Sequence, residues 1–141
     1  MRRIIINISI AILVVILSIV LGSLLSPLRR SDERIKADML KLTPIGMSME
    51  DAKAIIENND KWKVRHILDG GYTYSAGVPI GPHQGGDSLP GVRVGVTTME
   101  VDIGFYNFFV FIFKEEISIF YGFDEDSKLV DIAVRRYAMG T

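Results

Sequence analysis

The feature that most constrains this chain is a long apolar run near its start, Ile4–Leu25, in which short polar or small residues only occasionally interrupt the aliphatic side chains. Its 22 residues would span about 33 Å as a helix, enough to cross a hydrocarbon core of roughly 30 Å. A lone segment inside a bilayer can pair its backbone groups only as a helix. The sequence therefore predicts a transmembrane helix over 4–25, which contacts membrane lipid, within an anchor region of residues 1–30.

Arginines flank this run on both sides, at Arg2, Arg3, Arg29 and Arg30, where they can reach phosphate headgroups. The alternative is a secretory signal, cleaved so that the remainder is secreted. The apolar run is longer than the about 7–15 residues usual for a signal, and it lacks a good small-residue cleavage site. We favour a single-pass anchor in the cell membrane. The very short N-terminal tail favours an extracytoplasmic domain, although the basic residues after the run count the other way.

The charge of the chain is divided unevenly between the anchor region and the rest. Residues 1–30 carry four arginines and no acids, whereas the other 111 residues hold 12 basic and 17 acidic side chains. A mildly acidic domain argues against binding nucleic acid, which needs a basic face. The chain has no cysteine, so disulfides, thiolate metal sites and a lipidated cysteine are excluded.

Two short helices are predicted after the anchor. Ser31 is a good N-cap residue for a helix over 32–42, which Pro44 terminates. Ser48 begins a capping pattern for a second helix over 49–58, with an apolar stripe on one face. Asn58 and the asparagine after it would supply a left-handed stop.

The remainder of the chain alternates as β-strands do. One strand is predicted over 62–68, with His66 on its half-buried face. A long loop over 75–91 contains five glycines and three prolines. From Val92 we predict an antiparallel meander. Its strands cover 92–103 with a bulge at 97–98, then 108–113, 117–122 and 129–137, with turns at 106–107, 114–116 and 124–127.

These elements predict an α+β fold for residues 31–141. After the N-terminal transmembrane helix, two short helices would pack on an antiparallel β-meander of four to five strands.

Two strings resemble a known family. Ile45–Ala52 resembles the helix start in the two-layer fold of BamE/SmpA-type outer-membrane assembly lipoproteins, a fold shared with β-lactamase inhibitor protein. Phe123–Ile132 resembles the closing hairpin of that family. The same strings resemble a group of uncharacterised bacterial proteins that are exported or membrane-tethered. The resemblance implies a domain that binds proteins rather than one that catalyses a reaction, although this chain lacks the family's lipidated cysteine.

No group of residues in the sequence has the pattern of an active site. The acids of Asp124–Asp126 lack the spacing of a calcium loop and fit a solvated turn. His66 and His83 have no converging partners nearby in the sequence, and Ser48 and Ser88 have no nucleophile motif. The glycines of the long loop match no phosphate-binding pattern. We therefore expect no enzymatic activity, no metal and no cofactor.

The most unusual feature of the domain is an aromatic segment in which both strand faces are apolar. Phe108, Val110 and Ile112 share one face, and plausible interface anchors are Tyr106, Tyr121 and Tyr137. Such a face is either covered or meets a partner. We predict a membrane-tethered, non-catalytic module that binds another protein or a second copy of itself. The alternative is a domain at the membrane surface that senses a ligand or a peptide.

Overall fold

The computed structural model describes residues 2–24, 26–75, 78–81, 91–108 and 113–140. Within them the helices are α1 (Arg2–Leu24), α2 (Asp32–Leu42) and α3 (Met49–Glu57), and a 3₁₀ turn, Pro27–Arg29, precedes α2. The strands are β1 (Lys63–Asp69), β2 (Tyr72–Ser75), β3 (Val78–Ile80), β4 (Val92–Val94), β5 (Thr97–Phe108), β6 (Phe113–Phe123) and β7 (Leu129–Gly140).

No described side chain of the first helix, α1, belongs to the core of the domain. Its described aliphatic side chains are mostly exposed on the protein, for example Ile6 at 51% and Leu13 at 65%. Among the parts of the chain that the structure describes, no helix is long and apolar enough to qualify as a membrane span.

The two predicted short helices are confirmed, with one difference in how they end. The Ser48 hydroxyl accepts a hydrogen bond from the Asp51 amide at 3.1 Å, as the capping pattern predicts. Ser31 occupies the N-cap of α2 without a side-chain cap. The left-handed stop was wrong, because Asn58 has φ −74° and its amide bonds to the Ala54 carbonyl.

The larger sheet has the order β1-β5-β6-β7, with every pair antiparallel. Helices α2 and α3 pack on one face of it, which we call the inner face. The residues of this core are buried and apolar: Ile35, Met39, Ala52, Ile56, Met99, Val101, Ile103, Ile117, Ile119, Tyr121, Phe123, Leu129, Ile132 and Val134. An α+β fold with an antiparallel sheet is thereby confirmed.

A second, smaller sheet of order β3-β2-β4 covers part of the opposite face, which we call the outer face. Tyr72 of β2 packs there on Phe120 and Ala133, and all three side chains are buried. The chain passes from the small sheet to the large one at Gly95, whose φ is +74°. A Cβ at this position would lie 2.7 Å from the backbone nitrogen of Phe123, so the corner requires glycine.

This corner corrects one predicted strand and part of the predicted loop. The strand over 92–103 is instead two strands in different sheets, with the break at Gly95 rather than a bulge at 97–98. Within 75–91, Val78–Ile80 forms a strand that pairs with β2, so the segment is not loop throughout. Residues 82–90 lie outside the described part of the chain.

The aromatic segment is also arranged differently from the prediction. Turns at 106–107 and 114–116 were wrong, because these residues belong to β5 and β6, whose strands pair as far as Phe108 with Phe113. The end residues of the predicted strand over 108–113 belong to two different strands, Phe108 to β5 and Phe113 to β6, and residues 109–112 lie outside the described residues. The acids at 115 and 116 are tolerated within β6 because each meets an arginine, Arg136 and Arg65 respectively.

Candidate functional site

The structure describes only part of the predicted partner face. Tyr121 is fully buried in the inner-face core, which removes it from any exposed surface. Tyr106 is half-buried, and Phe108 ends β5 at its pairing with β6. Val110 and Ile112 lie outside the described residues. The structure therefore removes Tyr121 from the predicted partner face, and the rest of the set stays a prediction.

Tyr106 belongs to a network on the inner face that centres on Arg136. The Tyr106 hydroxyl donates to the Glu115 carboxylate and accepts from Arg136 Nη1 at 3.0 Å. Arg136 also donates from Nε to Asp32 Oδ1 at 2.6 Å and from Nη2 to the Arg30 carbonyl at 2.6 Å. Burial alone would lower the pKa of Arg136, but the Asp32 carboxylate raises it. The network fixes the chain before α2 against the sheet.

The outer face provides the best candidate site, an open cleft beside β3. It has a volume of about 250 Å³. Its lining comes from β1, β5, β6, β7 and the end of β3: Leu68, Ile80, Gly81, Thr98, Glu100, Phe120, Arg135 and Tyr137. We call it the outer cleft. The small sheet forms one side of it, because a Cβ on Gly81 would lie 3.1 Å from the Phe120 ring.

The outer cleft combines an apolar floor with charged groups that have no close counter-ion. The Arg135 guanidinium stacks on the Tyr137 ring at 4.5 Å from its centroid, an arrangement that favours a planar cation. Among the described residues, neither Glu100 nor Arg135 is in an ion pair. Burial raises the pKa of Tyr137, with the Glu100 charge adding to this and Arg135 opposing it. Tyr137 therefore stays neutral and can donate a hydrogen bond at neutral pH.

A second polar group on the outer face is already satisfied internally. Arg65 of β1 pairs with Asp102 at 3.2 Å and with Glu116. Because these charges neutralise one another, they hold strands β1, β5 and β6 together and leave little for a ligand. By contrast, the charges of the outer cleft, Glu100 and Arg135, remain available to a ligand.

The other candidate residues do not converge on a reactive site. His66 is exposed rather than half-buried, because a β-bulge between Val64 and His66 shifts the register of β1. Asp124 Oδ1 accepts from the amides of Asp126 and Lys128, which explains the predicted acidic turn without a cation. In the described ranges, no three His, Cys, Asp or Glu residues are grouped as metal ligands. His83 and Ser88 lie outside these ranges.

The sequence reasoning missed the outer cleft because its lining is drawn from five strands that are distant in the chain. A signal was present: Glu100 and Arg135 interrupt strands whose other residues are largely apolar. Charged residues on the sheet face opposite the predicted core indicate either a solvent-exposed surface or a functional site. Without the strand order, nothing brings these two charges together with Leu68 and Tyr137.

Buried tyrosines make the fold sensitive to alkaline pH. Burial raises the pKa of Tyr121 to about 12; burial and the Asp131 charge raise that of Tyr72. A pKa raised on folding gives stability that is fully present below the unfolded value of about 10 and is lost as pH rises above it. We expect the free energy of unfolding in detergent micelles to fall steadily above about pH 10. Urea denaturation at several pH values, with tyrosinate absorbance at each, measures this, and a flat profile would contradict it.

Comparison with known proteins identifies no relative. No family model matches the chain, and neither a curated protein nor a solved structure is significantly similar to it. The resemblance of Ile45–Ala52 and Phe123–Ile132 to the BamE/SmpA-type lipoproteins stays a prediction.

Proposed function

We propose that this protein is a membrane-tethered, non-catalytic module that binds another protein through the outer cleft. The observation that carries the proposal is the chemistry of that cleft. Leu68 and Ile80 supply apolar contact area, while Glu100 and Arg135 supply charges of both signs and are in no ion pair among the described residues. Apolar anchors beside a few charges that fix register are typical of protein recognition.

The size of the outer cleft favours a protein side chain over a free small molecule. Sites for small molecules usually measure about 300–1,000 Å³ and enclose most of the ligand. This cleft measures about 250 Å³ and is open. It suits one or two side chains of a partner surface better than a whole ligand. For that reason we place the alternative, a domain that senses a ligand or peptide, second.

The proposed tether is the apolar run Ile4–Leu25. The described part of α1 does not qualify as a span by itself, so the proposal rests on the length of the whole run and on the exposure of its side chains. An isolated helix that is apolar on every side has no stable place in water. The side of the membrane stays a prediction, which labelling of a Val130→Cys variant with an impermeant maleimide in intact cells would test. The native chain has no cysteine to interfere.

Site-specific crosslinking of the full-length protein in its own membranes tests binding at the outer cleft. A photo-reactive phenylalanine analogue at Tyr137 should give one discrete adduct of higher mass. The same analogue at Val130, exposed but outside the cleft, is the matched control. Addition of Arg135→Glu should remove the adduct at position 137, because it reverses the charge that the partner meets.

Two outcomes would count against protein binding at this cleft. One is the absence of any adduct from Tyr137 while the protein remains folded and in the membrane fraction. The other is an equal set of adducts from Tyr137 and Val130, which would indicate random collisions on the surface.

A further inference from the structure

One end of the larger sheet lies close to the C-terminal end of α1. Leu24 ends α1 and Pro27 begins the 3₁₀ turn, so their Cα atoms are at most about 11 Å apart. The turn packs on β5, because Leu28 Cδ1 lies 3.4 Å from where a Cβ would sit on Gly104. Whatever α1 is embedded in, the Gly104 end of the sheet lies beside it.

Arg136 fixes successive parts of the connecting chain on the sheet. Its guanidinium donates to the carbonyls of Leu28, at 3.4 Å, and Arg30, at 2.6 Å, and to the carboxylate of Asp32. These bonds tie the connecting chain to β7, and the network continues to β5 and β6 through Tyr106 and Glu115. The span from Leu24 to Pro27 alone then separates α1 from the part of the chain that is fixed on the sheet, which limits how far the sheet can move about the end of α1.

The same end presents the pair of residue types that suits a membrane surface. Phe105 of β5 is 54% exposed, and the Lys114 ammonium of β6 lies 3.7 Å from the centre of its ring. Lys114 has no ion pair among the described residues. Aromatic rings settle at the headgroup level of a bilayer, and basic residues there are attracted by anionic lipid.

The opposite end of the sheet has the reverse character. The turn between β6 and β7 carries Asp124, Glu125 and Asp126, which an anionic membrane would repel. Two acids near the Gly104 end are already paired, because Asp32 and Glu115 both bond to Arg136. The β6–β7 turn is acidic on balance even with Lys128 in it, whereas the end next to α1 carries Lys114 without an ion pair among the described residues.

We propose that the Phe105–Lys114 end of the sheet lies on the surface of an anionic lipid bilayer, with the Phe105 ring at the headgroup level and Lys114 against lipid phosphates. This inference rests on the proposed membrane tether. It adds that the domain has a preferred orientation on the membrane, in which the acidic turn points away from the bilayer, and is not attached by a flexible linker.

Depth-dependent quenching in reconstituted vesicles tests the orientation. The full-length protein carries Phe105→Trp in a Trp62→Phe background, and the matched control carries Val130→Trp at the far end of the sheet. Both positions are exposed, at 54% and 37%, so a tryptophan should fit either. In phosphatidylcholine–phosphatidylglycerol vesicles with brominated acyl chains, we expect a blue shift and strong quenching at position 105, and neither at 130.

The contribution of Lys114 is tested in the same vesicles. Lys114→Gln should weaken attachment of this end by about fivefold, the effect of about one basic residue at an anionic surface. Vesicles of pure phosphatidylcholine should give the same weakening without any substitution.

The outcomes separate the two proposals. If the protein does not float with vesicles, the tether fails, and the orientation fails with it. If it floats but position 105 is not quenched, or is quenched no more than position 130, the tether stands and the orientation is overturned.

Discussion

Replacement of Arg136 by alanine should lower the free energy of unfolding by about 2–3 kcal/mol. Arg136 donates hydrogen bonds to the carboxylates of Asp32 and Glu115 and to the Tyr106 hydroxyl, and also to two carbonyls of the connecting chain. Its removal leaves the half-buried Glu115 and Tyr106 without their cation. The cost stays below that of a fully buried pair because Asp32 is 46% exposed.

The neighbouring residue provides a matched control for this change. Arg135 lies on the outer face, stacks on Tyr137 and is in no ion pair among the described residues. Arg135→Ala should therefore cost less than about 1 kcal/mol. Urea denaturation in detergent micelles, followed by circular dichroism, compares the two. Equal losses of unfolding free energy in Arg136→Ala and Arg135→Ala would show that the Arg136 network does not hold the connecting chain.

Arg136→Ala should also free the connecting chain in the membrane. With the carbonyl bonds of Leu28 and Arg30 gone, the domain would rotate about the end of α1. Quenching of a tryptophan at position 105 should then fall while the protein still floats with vesicles. This second readout separates a loss of orientation from a simple loss of stability.

Local patterns in the sequence were enough to predict the helices and the last strands. Ser48 and Pro44 mark helix boundaries by chemistry that acts within a few residues. The alternation in β7 and the acidic turn before it are equally local. Elements of this kind form in much the same way whatever the rest of the fold does, so their positions could be read from the chain.

The features that sequence reasoning missed depend on distant contacts. Gly95 sends β4 and β5 into different sheets because the Val96 amide bonds to the Phe123 carbonyl at 2.7 Å and the Val96 carbonyl accepts from the Gly70 amide at 2.6 Å. The β5–β6 pairing extends through Tyr106 and Asn107, a favourable turn pair in isolation, because Glu115 across the ladder bonds to Tyr106. No short-range pattern encodes either contact.

The prediction for the partner surface was wrong for Tyr121, which is buried in the inner-face core, for the same reason. With two helices expected on one face, the other face of the sheet appeared free for a partner. In the structure, β2, β3 and β4 cover its apolar part, so that Phe120 is only 2% exposed. What remains open is the outer cleft, where charges and a tyrosine replace the apolar face. Among the described residues, the candidate site is therefore a small cleft with charged groups rather than an open apolar face.

Phe120→Ala should be the most destabilising single change at the outer face, with a loss of about 3–5 kcal/mol. The ring packs on Tyr72, with centroids 6.2 Å apart, and on Ala133. It is the only large buried side chain that the described part of the larger sheet offers to the smaller one. Alanine would leave a cavity, and Tyr72 could fill it only if β2 shifted its position on the larger sheet. The small sheet should consequently detach before the rest unfolds.

Hydrogen exchange distinguishes this from general weakening of the fold. Amides of β2 and β4 should lose protection from exchange in Phe120→Ala. Amides of β6 and β7, strands that the helices still cover on the inner face, should keep most of their protection. Phe105→Ala is the control, since that ring is 54% exposed and its loss should cost within about 1 kcal/mol. Uniform loss of protection would show that the two sheets form one cooperative unit. Because Phe120 also lines the outer cleft, the Tyr137 adduct should disappear with the small sheet.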